Sequence, residues 1–237
     1  MKKQLIILSA IMVFVVAGCT GTGRFVYPED MRELSRAAEG KPVYARKVAV
    51  VPFNDCRPNC GLGVTILLGI VPVVPYGFRE YDRPEANGSF TSLGSCAFSP
   101  GEELAKAAAV SLKHANLFQD AYFTYGGEAD RADYVLEGEV RSTYYKGRTF
   151  TYGFSIYSPV LWVVGAPLGT SLNRLSLQLR LKDRAGRVVW AYAFDRDDYL
   201  VQWLYYRNGQ DVSLYARLMQ QAMNSAVNSL AASGVKF

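Results

Sequence analysis

Residues 175–194 read LSLQLRLKDRAGRVVWAYAF, and this stretch decides the fold. Over residues 175–182, leucine alternates with a polar side chain. After the polar sequence 183–186, apolar side chains recur at every second position, namely Val188, Trp190, Tyr192 and Phe194. Alternation on both sides of a short polar turn is typical of an antiparallel hairpin. We therefore predict two paired strands with one apolar and one polar face.

Two helices are predicted to pack beside this hairpin. The helix over residues 100–116 is preceded by Ser99, has proline at its first position, and has Glu102 at capping-box spacing. A longer helix begins after Asp211, with apolar side chains at helical spacing at Leu214, Leu218, Ala222, Ala226 and Leu230. This apolar stripe predicts that the C-terminal helix lies on the apolar face of the sheet.

Three further segments predict strands of the same sheet: 47–53, 117–123 and 133–145. The predicted elements follow the order β, α, β, β, β, β, α, with the helices on one side. The fold class is therefore α+β (α/β-like), with a mixed, largely antiparallel sheet and helices packed on one face.

The N-terminus has the organisation of a secretory signal. Two lysines precede an apolar run over residues 5–17, and small residues lead to Cys19. This pattern resembles a bacterial lipoprotein signal peptide over residues 1–18, in which Cys19 becomes the acylated first residue. By the same resemblance, a residue other than Asp at Thr20 favours the outer membrane. Residues 19–45 are then a lipidated tether followed by a short helix, and the lipid on Cys19 holds the chain at the periplasmic face.

The remaining cysteines suggest a disulfide, because the bacterial envelope is oxidising. A local Cys56–Cys60 bridge across a Pro-Asn turn and a bridge from either residue to Cys96 are open alternatives. The one histidine, His114, lies too far along the chain to complete a ligand set, so we predict no metal and no cofactor. Its position in the last turn of the first helix predicts a helix-capping role.

Three short segments carry a resemblance to a known group of proteins. They are 48–53 (VAVVPF), 115–118 (ANLF) and 132–140 (ADYVLEGEV). Together they resemble envelope lipoproteins whose domain is similar to the N-terminal domain of TolB. That group includes curli-secretion (CsgG-like) and exopolysaccharide-export lipoproteins and a lipoprotein activator of a peptidoglycan synthase. The resemblance implies a single TolB-N-like domain over residues 46–237, and an envelope protein partner or self-oligomer.

Two apolar insertions, 54–99 and 149–173, interrupt the predicted domain. Residues 61–78 of the first and all of the second lack a charged side chain. We expect their side chains to contact a membrane or a partner, chiefly Leu67, Ile70, Val73, Tyr76, Tyr157, Leu161, Trp162 and Val163. Three alternatives are open: the insertions pack on each other, dip into the membrane interface, or form a subunit interface.

The sequence contains no Gly-x-Ser-x-Gly, phosphate-loop, His-Glu-x-x-His or dinucleotide motif. We interpret Asp195, Asp197 and Asp198 as a solvated strand end, and Glu137 and Glu139 as a solvated strand face. The net charge of +5 is not concentrated in a dense basic run, so we predict no nucleic-acid partner.

These observations lead to one functional hypothesis and one alternative. The hypothesis is a non-enzymatic, lipid-anchored envelope protein that assists an outer-membrane assembly, export or cell-wall complex. The alternative is an oligomeric CsgG-like secretion channel or a ring component. Residues 202–206, with the sequence QWLYY, are a further candidate contact surface.

Overall fold

The fold is described from a computed structural model that covers residues 23–28, 30–64, 76–85, 96–154, 158–208 and 210–233. The predicted signal peptide and Cys19 lie outside these ranges, as do the predicted contact residues Leu67, Ile70, Val73 and Tyr157. Tyr76 and Cys96 are described by their backbone alone.

The described chain forms three α-helices, two 3-10 turns and eleven strands. The helices are α1 (Pro100–Ala115), α2 (Ser158–Val163) and α3 (Ser213–Ala232), and the 3-10 turns are Met31–Glu33 and Ala129–Arg131. The strands are β1 (Gly23–Arg24), β2 (Tyr44–Val50), β3 (Asn54–Asp55), β4 (Gly61–Val64), β5 (Tyr76–Tyr81), β6 (Cys96–Ala97), β7 (Phe118–Phe123), β8 (Tyr134–Ser142), β9 (Tyr145–Phe150), β10 (Pro167–Asp183) and β11 (Val188–Trp203).

The predicted hairpin is confirmed as the centre of the sheet. Strands β10 and β11 pair antiparallel, with Leu181 opposite Trp190 and Leu177 opposite Phe194. Asp183 closes the turn, because its Oδ1 accepts the backbone N–H of Arg187 at 2.9 Å and of the alanine between them at 2.9 Å. The pairing continues to Trp203, well beyond the stretch whose alternation predicted it.

Strand β10 organises the rest of the sheet. One of its edges pairs with β11, while the other pairs first with β9 and then with β8. The strand order is β4-β5-β9-β10-β8-β2-β7, and β3 also pairs with β8. Only the pairs of β2 with β7 and β8, and of β3 with β8, are parallel within this sheet. The class is therefore α+β, with a mixed, mostly antiparallel open sheet, as predicted.

Helices α1 and α3 cover one face of this sheet, which we call the inner face. α1 packs on β7 and β2, α3 packs on β11 and β10, and the two helices contact each other. The core lies between them and the leucines of β10, which are all buried: Leu175, Leu177, Leu179 and Leu181. The two long helices occupy the predicted ranges within two residues.

Two local predictions need correction. The capping box of α1 does not involve Glu102, since Glu103 accepts the Ser99 backbone N–H at 3.0 Å instead. The short helix predicted after the tether is a single 3-10 turn over Met31–Glu33, whose start is capped by the Asp30 side chain. The 3-10 turn spans three residues, which is shorter than one turn of an α-helix.

The two insertions contribute strands to the sheet. The hairpin β4–β5 comes from the first insertion and pairs with β9, with Tyr76 opposite Phe150 and Tyr81 opposite Tyr145. Most of β9 precedes the second insertion, and β10 begins inside it. The connection outside the strands is therefore shorter than predicted, from residue 151 to residue 166.

These strands extend the sheet beyond the two long helices. We call this extension the arm: β4, β5, β9, residues 167–173 of β10 and residues 199–203 of β11. From Asn173 to Pro167 the arm has a length of about 20 Å, at 3.3 Å per residue. α3 begins beside Asn173, whose Nδ2 donates to the Asp211 carbonyl at 2.7 Å. The end of the arm away from the helices carries α2.

Candidate interaction surface

A buried polar cluster joins the arm to the helix-covered half of the sheet. Asp211 is fully buried, and its Oδ2 accepts a hydrogen bond from the Tyr145 hydroxyl at 2.9 Å. The Gln202 amide donates to Asp211 Oδ1 and to the Ser171 hydroxyl. Buried polar groups cost free energy unless they are paired, so this network holds β9, β10, β11 and the start of α3 in one arrangement.

A buried guanidinium ties the first insertion to the same region. Arg57 Nε lies 2.8 Å from Asp55, its Nη2 lies 2.7 Å from Glu85, and its Nη1 donates to the Thr143 hydroxyl at 2.5 Å. Burial disfavours the charged Arg57, but the hydrogen bonds to the two carboxylates outweigh it and raise the pKa of Arg57 above its ordinary value. The hydrogen bond from Arg57 lowers the pKa of Asp55. The ionised forms of Arg57 and Asp55 are therefore favoured in the folded chain.

The described N-terminal segment packs against the start of α3. Phe25 stacks on Phe98 with ring centroids 5.4 Å apart, and Phe98 stacks on Tyr215 at 5.1 Å. The Tyr215 hydroxyl donates to the Thr143 carbonyl at 2.7 Å, and burial raises its pKa well above 10. This aromatic stack fixes Gly23 and the residues after it next to the base of the arm.

The far end of the arm exposes a cluster of apolar side chains. On and around α2, Val164 is 75% exposed, Phe154 54% and Val160 49%. Tyr205 and Tyr206 lie in the turn that follows β11 and are 69% and 58% exposed. We call residues 152–154, 158–166 and 204–207 the tip. The first two ranges adjoin Pro167 in sequence or lie just before it, and the third follows Trp203. Both parts lie at the same end of the sheet, because Pro167 pairs with Trp203 across the ladder.

Helix α2 ends in a Schellman motif that satisfies its carbonyl groups. Gly165 has a φ of 99°, a left-handed conformation that glycine adopts without strain. Its N–H donates to the Trp162 carbonyl at 3.1 Å, and the Ala166 N–H donates to the Leu161 carbonyl at 2.9 Å. These bonds occupy backbone groups that would otherwise be bare at the tip.

Two aromatic side chains of the tip donate hydrogen bonds to backbone carbonyls of the arm. Trp162 Nε1 donates to the Phe150 carbonyl at 2.9 Å, and the Tyr152 hydroxyl donates to the Pro167 carbonyl at 2.8 Å. Arg207 lies over the Tyr206 ring, 4.9 Å from its centroid. Trp162 and Tyr152 are therefore anchored to the arm by hydrogen bonds, while much of the Tyr152 ring remains at the surface.

The predicted contact residues are only partly the exposed ones. Of those that the structure describes with side chains, Val163 is 41% exposed, while Leu161 and Trp162 are half-buried. The sequence analysis missed Val160 and Val164, which are more exposed than any of these. Their spacing from Val163, at i−3 and i+1, places all three on one side of a short helix, and this spacing was the available signal. The residues 202–206 suggested as a contact surface do expose Tyr205 and Tyr206.

The predicted local disulfide between Cys56 and Cys60 is not formed. Cys56 and Cys60 are free and exposed. The backbone of each is instead held by a neighbour: the Cys56 N–H donates to the Val140 carbonyl at 2.9 Å, and the Cys60 carbonyl accepts the Asp82 N–H at 3.0 Å. His114 lies in the last turn of α1, as predicted, where its Nε2 accepts a hydrogen bond from Arg36 Nε at 3.2 Å.

The face of the sheet opposite the helices, the outer face, carries paired charges. Glu137 binds Lys182 at 2.7 Å, and Glu139 binds Arg180 at 3.0 Å and Arg141 at 3.2 Å. These carboxylates lie opposite the apolar face, as predicted from their spacing, and are half-buried among these ion pairs.

The acidic cluster of β11 is not at a strand end, which corrects our interpretation. Asp195, Asp197 and Asp198 lie in the middle of β11, because the ladder with β10 continues beyond them. Asp195 pairs with Arg174, which lowers the pKa of that carboxyl, and Asp198 binds Arg217 of α3 at 3.1 Å. The cluster therefore contributes ion pairs on both faces of the strand.

Within the described ranges, no three His, Cys, Asp or Glu side chains are grouped so that they could hold a metal ion. In that same part of the chain, none of the helices has the length and apolar character needed to span a membrane.

Comparison with known proteins yields structural similarity alone. No protein-family model matches the chain, and no curated protein matches its sequence. The protein XCC0632 from Xanthomonas campestris, described with the family model DUF330, is similar with a TM-score of 0.43 and 11% identity, over 84% of this chain and 92% of that one. A PelC dodecamer from Paraburkholderia phytofirmans gives 0.39 and 19%, over 78% and 92%.

The lipoprotein GNA1162 from Neisseria meningitidis is similar with a TM-score of 0.34 and 12% identity, over 78% of this chain and 98% of that one. Because all three TM-scores lie below 0.5, these similarities assign the chain neither a family nor a function.

Proposed function

We propose that this chain is a non-enzymatic, lipid-anchored protein of the bacterial outer membrane that assists an assembly, export or cell-wall complex. The observation that carries the proposal is the apolar tip at the end of the arm, where Val160, Val164 and Tyr205 are exposed on one end of the sheet. The lipoprotein-type signal before Cys19 supports the envelope location. Lipid on Cys19 tethers the domain at the periplasmic face, and the tip makes the contact that positions it.

The buried polar groups support a positional role for the domain. Asp211 and Arg57 direct their hydrogen bonds to neighbours within the chain: Tyr145 and Gln202 for the first, Thr143 and two carboxylates for the second. Such groups hold the arm at a defined angle to the helices. A rigid arm with an apolar end suits a protein whose task is to place a surface.

The anchor is tested by comparing the Cys19→Ala and Cys56→Ala variants of the full chain in cells. We expect wild-type protein and Cys56→Ala to sediment with the outer membrane at the mature size. Cys19→Ala should remain as the longer precursor and be lost from that fraction, because lipoprotein processing requires the acylated cysteine. A Cys19→Ala chain of mature size in the outer membrane, at the wild-type amount, contradicts the proposal.

The alternative of a ring component is favoured by one observation. In the described ranges β4 has a single neighbour, β5, and it carries no charged side chain, while Leu62 on it is 60% exposed. Uncharged edge strands are able to pair with another chain. Size measurement after detergent extraction tests this alternative: a stable assembly of many copies supports it, and a monomer removes it.

A further inference from the structure

The tip has the charge pattern of a surface that meets anionic groups. No charged residue occurs from Thr149 to Asn173, and the first charges on either side are Arg148 and Arg174. From Tyr199 to Gln210, the one charged residue is Arg207. Arg174 lies at the base of the arm and pairs with Asp195, so the charge of the tip itself is that of Arg207. An apolar surface whose own charge is an arginine is complementary to a lipid surface with anionic head groups.

Several polar groups at the tip are bonded within the chain. The Schellman motif occupies the carbonyls of Leu161 and Trp162, and the Trp162 indole and Tyr152 hydroxyl donate to backbone carbonyls. The Phe154 N–H also donates to the Thr151 carbonyl at 2.8 Å. A protein partner would offer hydrogen bonds across an interface, roughly one per 100–200 Å². Lipid tails offer none, so a segment that enters them must satisfy its backbone internally.

The side chains at the tip are also of the kinds found where proteins enter a membrane surface. Val160, Val163 and Val164 of the α2 region are exposed, and so are three aromatic side chains of the tip, Tyr152, Tyr205 and Tyr206. Tyrosine and tryptophan are enriched at the boundary between head groups and hydrocarbon, because each has an apolar body and a polar edge.

The position of the anchor permits the tip to reach the membrane. Gly23 lies beside the start of α1, because β1 pairs with β6 just before that helix, and Phe25 is stacked over Phe98 and the first turn of α3. Cys19 is four residues earlier, a reach of about 14 Å for extended chain. The arm extends about 20 Å from the same region. A tether with this reach and an arm of similar length allow the lipid and the tip to meet one surface.

From these observations we infer that the tip inserts into the interface of the lipid bilayer to which Cys19 is anchored, with Val160, Val163 and Val164 among the acyl chains. This inference rests on the proposed anchor and adds the partner of the tip. The lipid on Cys19 holds the chain, and the tip fixes its orientation: the arm points at the membrane, and the outer face of the sheet stands roughly perpendicular to it.

The test is photocrosslinking from the tip in the acylated, full-length protein. Benzoylphenylalanine replaces Val164 in one variant and Val188 in the other, and each is reconstituted into vesicles of phosphatidylethanolamine and phosphatidylglycerol. Val188 is a matched control, since it is an exposed valine (50%) at the opposite end of the sheet. Vesicle flotation of both variants is measured first, and adducts are then identified by mass.

We expect both variants to float and the Val164 variant to give at least fivefold more lipid adduct than the Val188 variant. If both variants float but Val164 gives adducts with a second copy of the chain, or no more lipid adduct than Val188, the inference is overturned and the anchor stands. If neither variant floats, the anchor itself fails, and with it the inference.

Discussion

The two halves of β10 bury different kinds of side chain. Residues 175–181 bury a leucine at every second position under α1 and α3. Residues 167–173, in the arm, bury Leu168 together with three polar side chains, Thr170, Ser171 and Asn173, while apolar side chains of the tip are exposed. One half gains its stability from apolar burial, and the other is held in place by hydrogen bonds.

This contrast separates stability from function within one strand. The arm buries Tyr145, Leu168 and Leu200 beside its polar groups, whereas the apolar side chains of the tip are exposed. Exposed apolar side chains that cluster at one end of a sheet are better explained by an external partner. The helix-covered half supplies the free energy of folding, and the arm presents the tip. Four substitutions test this division, in order of expected effect.

The largest effect is expected for Leu179→Ala. Leu179 is 1% exposed in the core, and truncation of a buried leucine leaves a cavity that costs about 3 kcal/mol of unfolding free energy. Val188→Ala is the control, because half of that side chain is exposed, and it should stay within about 0.5 kcal/mol of wild type. Urea unfolding followed by circular dichroism measures both. Equal losses for the two variants would mean that the burial of Leu179 does not stabilise the fold more than an exposed valine does.

Asp211→Ala is expected to be next. It removes an acceptor of Tyr145 and of Gln202, and the loss of hydrogen bonds in a buried network costs about 2 kcal/mol. Asp211→Asn keeps one acceptor oxygen and should lose less. Asp197→Ala, at an exposed aspartate, is the control. If Asp211→Ala unfolds at the same urea concentration as Asp197→Ala, the polar cluster does not hold the arm.

A smaller effect on the free energy of unfolding is expected to depend on pH. The hydrogen bond from Lys146 lowers the pKa of Glu80 below 4.5, and burial together with Glu80 raises the pKa of Tyr144 to about 12. A depressed carboxyl pKa stabilises the fold above the pKa of the unfolded chain, near 4.5, and this contribution is lost as the pH falls further.

Glu80→Gln removes that contribution. We expect wild-type protein to lose more stability than Glu80→Gln between pH 6 and pH 3, as measured by urea unfolding at each pH. Identical pH profiles for the two proteins would show that this pair at the base of the arm contributes nothing. Asp197→Asn serves as a control for the removal of an exposed carboxylate.

The smallest effect on stability is expected at the tip. Val164→Asp changes a side chain that is 75% exposed, so the free energy of unfolding should stay within about 0.5 kcal/mol of wild type. The charge should nevertheless reduce the lipid adduct obtained from a photocrosslinker at Val160. A loss of stability comparable to that of Leu179→Ala would show that the tip is part of the core.

The elements with a regular local pattern were predictable from sequence. The hairpin of β10 and β11 follows from alternation, and α1 and α3 follow from apolar spacing, because these periods match the geometry of strand and helix. The predicted strands ended too early where the alternation stopped. Asp195, Asp197 and Asp198 interrupt the alternation of β11, although the strand continues on the hydrogen bonds of its ladder.

The arm was not predictable in the same way. β5 pairs with β9 across more than sixty residues of chain, and an apolar run such as 61–78 contains no period that selects its neighbour. Pro159 occupies the second position of α2, where a missing N–H costs nothing, so it does not prevent this short helix. The Asp211 cluster consists of single polar residues with no pattern at all.

The proposed membrane contact of the tip depends most on the anchor, because the lipid on Cys19 brings the tip to a membrane. The most direct measurement is the mass of the N-terminal peptide of the protein purified from envelopes. We predict a chain that begins at Cys19 and carries the added mass of its acyl chains. A chain that retains residues 1–18, or that begins elsewhere without acylation, would contradict the account.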